Sequence, residues 1–350
     1  MDDRPPKKGR ADGIEPVTVW GAGAMGGSIG AWLVRAGREV LFVDNDEAHA
    51  TAIRDRGLRI TGPLDAFTVA ARCVHPDALE PGLGTVLLAV KAHHTVHAIR
   101  TIAPLLAADG FVVSVQNGLN ERVIADRVGA ERTVGCFVNF GADVVEPGVV
   151  MRGNRGAVVL GELDGSTTGR IRALHRLFLD FEPAAVVTDN IHGYLWGKLA
   201  YGSMLFATAL ADASIADVLE SRAHRPAIRA LAREAMAVAA ALGVRPEPFD
   251  GFDPSAFAPD APDAVADESL DRLVAFNRDS AKSHSGVWRD LAVRRRKTEV
   301  DAQIAPIAEL GTQVGVSTPL TRRLVELIHD VELGRRAQSW ETLEALGAPG

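Results

Sequence analysis

The stretch that most constrains the fold is Val17-Thr18-Val19-Trp20-Gly21-Ala22-Gly23-Ala24-Met25-Gly26. A short apolar, β-rich run ends on a glycine, and two more glycines complete the spacing G-x-G-x-x-G. Each glycine has a different physical task. Gly21 allows the tight strand-to-helix turn, Gly23 lets backbone approach a pyrophosphate without a Cβ in the way, and Gly26 lets the helix lie close on the strand. The free N–H groups of that helix then point at the phosphates. The spacing alone is a weak signal, because a glycine-rich turn needs no ligand. Here it has context: a strand before it, a helix pattern over 25–36 stopped by Gly37, and a second strand over 39–43. Together these predict a dinucleotide site built on Gly21, Ala22, Gly23, Ala24, Met25 and Gly26.

Asp44 stands at the tip of the second strand, about twenty residues past the glycines, where an acidic side chain hydrogen-bonds the adenosine ribose. A carboxylate there repels the extra phosphate of NADP, so Asp44 favours NAD(H). The alternative for Asp44 is to cap the next helix, which runs to about Arg56, and Asp46 could do the same. Strand and helix patterns then alternate, with strands over 58–61, 67–72, 85–90, 111–116 and 133–139. A hairpin of 149–152 with 157–161 is expected at the sheet edge, then a helix over 169–179 and a last strand over 184–187. Lys91 and Asn117 follow two buried strands directly, and in doubly wound sheets ligands sit outside the carboxyl ends of the strands. Both are therefore candidates for the cofactor region, and Asn117 also for the substrate; an Asn-Gly turn satisfying its own backbone is the plain alternative.

Composition bounds the rest. At 350 residues the chain fits two domains. A net charge of −7 offers no positive field for nucleic acid. Cys73 and Cys136 give no disulfide framework, so a reducing, cytoplasmic setting is the simpler reading. No apolar run approaches a membrane span. Residues 1–15 are polar and rich in Pro, Lys and Asp, which predicts a disordered tail. His93, His94 and His97 have helical spacing, but no carboxylate or cysteine completes a metal set nearby, and no metal is expected.

Beyond Asp189 the pattern turns to helix after helix, which gives domains over 16–188 and 189–350. The first of these helices, 194–210, is apolar nearly all round and carries one charge, Lys198. A lysine in a buried helix either snorkels or functions, and desolvation lowers its pKa toward the range of a proton donor at neutral pH. A Pro/Asp/Phe-rich segment over 245–267 reads as a long loop, either mobile or packed. The basic run Arg294-Arg295-Arg296-Lys297 reads as a solvated helix face. Two helices over 304–314 and 321–333 close the second domain.

Taken together, Gly21-Ala22-Gly23-Ala24-Met25-Gly26, Val90-Lys91-Ala92, Gln116-Asn117-Gly118-Leu119, Trp196-Gly197-Lys198-Leu199 and Thr298-Glu299-Val300-Asp301 resemble the ketopantoate reductase (2-dehydropantoate 2-reductase) family, in the family's order. The resemblance implies an α/β Rossmann-type dinucleotide-binding domain followed by an all-α C-terminal domain, with the active site in the cleft between them. It implies that Lys198 is the general acid, that Glu299 orients substrate, and that the cofactor is NADP(H), against the NAD(H) favoured by Asp44. The reaction it implies is hydride transfer between nicotinamide and a 2-oxo or 2-hydroxy acid.

Three departures bear on substrate. The family's asparagines four and eight residues after the lysine are Gly202 and Phe206 here. The family's serine before its Met-x-x-Asp stretch aligns with Gly286, leaving Ser285 and His284 as the polar candidates. One extra residue separates Asp290 from Glu299. These exchanges predict a bulkier or less hydroxylated acid than ketopantoate, bound by Asn117, Gly202, Phe206, His284 and Ser285. The alternatives are authentic ketopantoate reduction in pantothenate synthesis, and a non-catalytic dinucleotide sensor. A helical domain with apolar faces suits a homodimer.

Overall fold

Residues 13–279 and 283–348 are described by the structure, a computed structural model. The chain divides into two units, Met1–Ile191 and His192–Gly350. Unit 1 runs β1 (Val17–Trp20), α1 (Ala24–Arg35), β2 (Val40–Val43), α2 (Glu47–Arg56), β3 (Leu58–Thr61), β4 (Phe67–Val69), β5 (Arg72–Val74), β6 (Leu83–Leu88), α3 (Thr95–Ile102), β7 (Leu106–Ser114), α4 (Asn120–Val128), β8 (Thr133–Val138), β9 (Gly141–Glu146), β10 (Val149–Asn154), β11 (Val158–Glu162), α5 (Gly169–Phe178) and β12 (Val186–Val187).

The larger sheet has the order β12-β11-β8-β7-β6-β1-β2-β5. Six neighbouring strands, from β5 to β8, are parallel. Helices cover a parallel sheet on both faces, so its strands are continuous apolar runs rather than alternating ones; all four residues of β1 are buried. Strand order reverses at β1, with β2 on one side and β6 on the other. That is the switch point outside which doubly wound sheets bind ligands. The register Trp20↔Leu88 and Leu88↔Ser114 brings the carboxyl ends of β1, β6 and β7 to one edge, and with them the loops that hold Gly21–Gly23, Lys91 and Asn117.

Several sequence expectations are corrected here. The 149–152 and 157–161 segments do not form a hairpin. β10 pairs antiparallel with β9, a strand the sequence did not signal, and parallel with β3, in a separate sheet of order β4-β3-β10-β9. β11 instead pairs antiparallel with β8 in the large sheet. The single strand expected over 67–72 is two, β4 and β5, one in each sheet. The strand expected over 111–116 begins earlier, at Leu106, as β7. Most of the expected tail, residues 1–12, lies outside the described residues. Its last part is anchored rather than loose: Ile14 is buried, and Glu15 accepts a hydrogen bond from the Glu39 amide and pairs with Arg38.

Unit 2 is helical: α6 (Ile191–Thr208, beginning at the unit boundary), α7 (Ile215–Glu220), α8 (Arg225–Ala241), α9 (Asp263–Asp279), α10 (Gly286–Ala292), α11 (Val300–Gln303), α12 (Ala305–Gln313), α13 (Pro319–Glu332) and a further helix, α14 (Trp340–Gly347), beyond those expected. The 245–267 segment is packed, not mobile. Phe249, Phe252 and Phe257 are buried, with Tyr201 of α6 against the first two, and the Glu247 amide donates to the Gly193 carbonyl. A Cβ on Gly197 would stand 2.8 Å from the Glu247 carbonyl oxygen, so the glycine beside Lys198 is where this segment meets the helix. The basic run is a loop rather than a helix face. Arg294 and Arg296 reach back to Asp290, and Lys297 pairs with Asp301.

Arg152 of β10 is fully buried in unit 1. Its guanidinium lies 4.1 Å from the Phe181 ring centroid and 4.8 Å from that of Trp32, and it pairs with the buried Glu182 at 3.1 Å. Removing Arg152 takes from the buried Glu182 its buried partner and leaves it the mostly exposed Arg155 at 3.5 Å. Arg152→Met should therefore cost about 3–5 kcal/mol in urea denaturation, and the double variant Arg152→Met/Glu182→Gln should recover part of that loss. An additive double variant would mean that the rings, not the ion pair, hold β10.

Candidate functional site

The turn after β1 gives each glycine of the motif a separate reason. Gly21 has φ +100, and a Cβ on it would stand 2.9 Å from the Val90 amide nitrogen. Gly26 lies under the turn: a Cβ there would run into the Gly21 carbonyl oxygen and approach Ala89 Cβ to 2.8 Å and Val19 to 2.9 Å. Both are required by packing. Gly23 is not, since a Cβ on it would meet no protein atom within 4 Å. It leaves a cradle that a side chain would fill, which is what backbone approach to a pyrophosphate needs. Gly23 also caps α1 without a side-chain hydrogen bond, and Ala24 and Met25 are half-buried in the first turn. Such first-turn amides have no partner within the helix. The residues present fit a dinucleotide.

Asp44 is brought to this turn directly. One carboxylate oxygen accepts from the Ala22 amide at 2.8 Å and the other from the Asp46 amide at 2.9 Å. Capping of α2 falls to Asp46, whose side chain accepts from the His49 amide, and not to Asp44. Beneath them Cys73 is buried and reduced, its thiol pushed up to about 12 by burial and by the Asp44 charge. His49, which the sequence analysis passed over, is also tied to the turn. It is 4% exposed, with Nε2 3.0 Å from the Ala22 carbonyl oxygen and Nδ1 accepting from the Gly148 amide at 3.1 Å. Its signal in the sequence was slight: a lone histidine among alanines on a short helix.

Lys91 and Asn117 are both half-buried, on loops that a polar network joins. The Gln116 amide donates to the Val90 carbonyl and to Thr95, Thr95 donates to Asn120, and Asn120 donates to the Asn117 carbonyl. These bonds hold the loop after β6 to the loop after β7. Next to them, Glu121 is 1% exposed and neither carboxylate oxygen has a well-formed hydrogen bond. Burial pushes its pKa from 4.5 up to about 7, offset in part by its own amide and the neighbouring Ser114 hydroxyl. His93 and His94 contact one another on the surface. Among the described residues no group of His, Cys, Asp and Glu is arranged to hold a metal ion.

In unit 2, Lys198 is half-buried on α6, and Gly202 follows one turn later. A Cβ at Gly202 would meet nothing within 4 Å, so this stretch of helix borders open space. Phe206 is 2% exposed, its ring fixed in the interior. Glu299 is half-buried at the start of α11, between two anchored neighbours: Thr298 donates through amide and hydroxyl to Glu332 of α13 (2.7 and 2.6 Å), and Asp301 pairs with His329. Ser285 caps α10 by accepting from the Trp288 amide, a local task, and it is 4% exposed. His284 stacks on Trp288 and contacts the Ser283 hydroxyl.

Comparison with known proteins covers both units. The model of the family described as ketopantoate reductase PanE/ApbA matches residues 17–165, and that of its C-terminal domain matches residues 190–332. The 2-dehydropantoate 2-reductase of Mesorhizobium japonicum is 28% identical, over 92% of this chain and 99% of that one. The crystal structure of a PanE/ApbA family ketopantoate reductase from Ralstonia eutropha JMP134 is similar at a TM-score of 0.76 and 26% identity, covering 91% of this chain and 99% of that one. The ternary structure of D-mandelate dehydrogenase with NADH and anilino(oxo)acetate shares the fold at a TM-score of 0.76 and 24% identity, covering 91% and 99%.

Two outcomes are expected. Gly23→Ala should fold with wild-type stability yet weaken NADH binding at least about tenfold, whereas Gly26→Ala should lose about 1–3 kcal/mol of stability. Fluorescence titration and urea midpoints separate the two; equal stability losses would refute the division. For Glu121, the folded chain holds the carboxyl proton more tightly than the unfolded chain, so stability falls as pH rises from about 4.5 to about 7. Glu121→Gln should remove that slope, with a relative gain on the order of 3 kcal/mol above pH 7 and none below about pH 4. An unchanged slope in the variant would assign it to other groups.

Proposed function

Since the chain belongs to the ketopantoate reductase family and is an NAD(P)-dependent oxidoreductase acting on 2-oxo acids, we propose that it interconverts a 2-oxo and a 2-hydroxy acid bulkier or less hydroxylated than ketopantoate, with NAD(H) as cofactor. The observation that carries the substrate reading is Gly202. One helical turn from Lys198, where family members are expected to place an asparagine, this chain has no side chain and open space beside it. A polar contact is thereby exchanged for volume.

Lys198 is the proton donor in this reading. When bound, the nicotinamide supplies or accepts the hydride. As the 2-oxo carbon is reduced, negative charge grows on its oxygen, and the Lys198 ammonium stabilises that charge and delivers a proton to the same oxygen. Glu299 orients the substrate hydroxyl or carboxylate, and the Thr298–Glu332 bonds limit how far it can stray. Lys91 and Asn117 line the nicotinamide end, with Asn117 offering an amide to the substrate. His284 and Ser285 are weaker candidates, because the Ser285 hydroxyl already accepts from the Trp288 amide. The NAD(H) preference rests on Asp44: its carboxylate lies against the glycine turn, and the exposed Asp46 and Glu47 follow it. A 2′-phosphate would meet negative charge there. Phe276, Val293 and Leu333, each more than 60% exposed, support a homodimer.

Nicotinamide absorbance, followed with NADH and NADPH in separate reactions, tests this against ketopantoate and against aryl or larger branched 2-oxo acids. The expected result is turnover of the bulkier acids with NADH. Rapid NADPH oxidation with ketopantoate would instead make the chain an authentic 2-dehydropantoate 2-reductase, and cofactor binding without any turnover would make it a sensor. Lys198→Ala should lose about 10²–10⁴-fold in turnover while its NADH affinity stays unchanged; loss of both together would make the lysine structural.

A further inference from the structure

We propose that His49 is a positioning residue for the dinucleotide, aiming the Gly23 amide at the pyrophosphate by holding the Ala22 carbonyl from behind. The inference rests on the reading of the glycine turn as the dinucleotide site. A backbone N–H can only donate, so the Gly148 amide at 3.1 Å makes Nδ1 the acceptor. The ring proton then sits on Nε2, which donates to the Ala22 carbonyl oxygen at 3.0 Å. The tautomer is thus set by the β9–β10 turn, on the far side of the ring from the glycines.

The consequence for the ligand follows from the geometry of one peptide. In a trans peptide the carbonyl and the next N–H point in opposite directions. With the Ala22 carbonyl drawn to His49, the Gly23 N–H of the same peptide points away from the imidazole, and a Cβ on Gly23 would meet no protein atom within 4 Å. The preceding peptide is fixed too, since the Ala22 N–H is held by Asp44. Two successive peptides of the turn are therefore clamped, one by each side chain. Ala22 is itself 0% exposed. Without the imidazole its carbonyl would be a buried acceptor lacking a partner, and the peptide would rotate to satisfy it, carrying the Gly23 N–H off its aim.

His49 is itself held on all sides. Its amide is capped by Asp46, and the turn that presents Gly148 packs closely on α2, where a Cβ on Gly148 (φ +80) would stand 2.9 Å from Ala52 Cβ. The small sheet thereby reaches the cofactor turn through one ring.

Two substitutions separate positioning from simple packing. Asn at position 49 places an oxygen near Nδ1 and keeps the Gly148 bond but loses the donor to Ala22. Gln places an amide near Nε2 and keeps that donor. In fluorescence titrations of the full chain with NADH, His49→Gln should stay within about threefold of the wild-type Kd, and His49→Asn should be weaker by at least about tenfold. Both should keep the wild-type substrate KM at saturating cofactor. Equal losses in the two variants, or wild-type affinity in His49→Asn, would overturn the proposal. Should His49→Asn not fold, the Gln variant decides alone, since a loss of tenfold or more there would also overturn it. Gly23→Ala, titrated in parallel, identifies a failure of the underlying reading: if it binds NADH like the wild type, the glycine turn is not the site.

Discussion

If a dinucleotide is to meet backbone at the end of β1, the turn there must pass without side chains, and the rest of unit 1 is arranged around that requirement. Three glycines satisfy it in different ways. Gly21 and Gly26 are excluded from having side chains by Val90, Ala89 and Val19 at close contact, while Gly23 faces open space. The first two set how closely α1 can lie on β1 and β6. The third meets no protein atom when a Cβ is added, which suits the approach of a ligand to the backbone in the proposed reading. A turn of bare backbone also has conformational freedom to lose. Asp44 and His49 remove that freedom at Ala22, from the amide and carbonyl sides respectively.

The same logic of fixing polar groups by other polar groups extends along the carboxyl edge of the sheet. Gln116, Thr95 and Asn120 join the loops of Lys91 and Asn117 by a chain of hydrogen bonds. Glu121 is the exception. It is buried with no well-formed bond, and its raised pKa is the direct result. In unit 2 the anchoring is longer in range: Glu332 holds Thr298, and the segment containing Glu299 is fixed from α13 rather than by its own short helix, which has four residues.

What the sequence made legible follows from which constraints are local. The glycine turn, the buried strands and the apolar helix around Lys198 are written in consecutive residues, and each lies close to where periodicity and spacing put it. The β9–β10 pair was not legible, because Val149–Asn154 takes as partners both Gly141–Glu146 and the distant Leu58–Thr61; nothing in 149–152 distinguishes that pairing from a hairpin with 157–161. The 294–297 run has the charge pattern of a helix face, but Asp290 draws Arg294 and Arg296 back and Arg295 adopts φ +46. His49 escaped notice for a related reason. Its partners, Ala22 and Gly148, lie 27 and 99 residues away, and an isolated histidine gives no hint of either.

These differences in locality bear on how one family can keep its chemistry while changing its substrate. On the proposed reading, cofactor binding depends on backbone: two glycines that cannot be replaced without collision, a third beside open space, and a carbonyl and amide held by buried neighbours. Such a site tolerates little change. Substrate contact at Gly202, as proposed, would depend only on what side chain stands one turn from the lysine, because a Cβ there meets no other part of the protein within 4 Å. Replacing an asparagine by glycine there removes a hydrogen-bonding group and opens volume, while leaving α6 to be held by its buried face and by the 245–258 segment packed at Gly197. A site that bonds a substrate hydroxyl rejects an analogue lacking it, whereas one that offers apolar space discriminates far more weakly. On the proposed reading, substrate range can therefore broaden at one position of this helix without any change to the lysine or to the glycine turn.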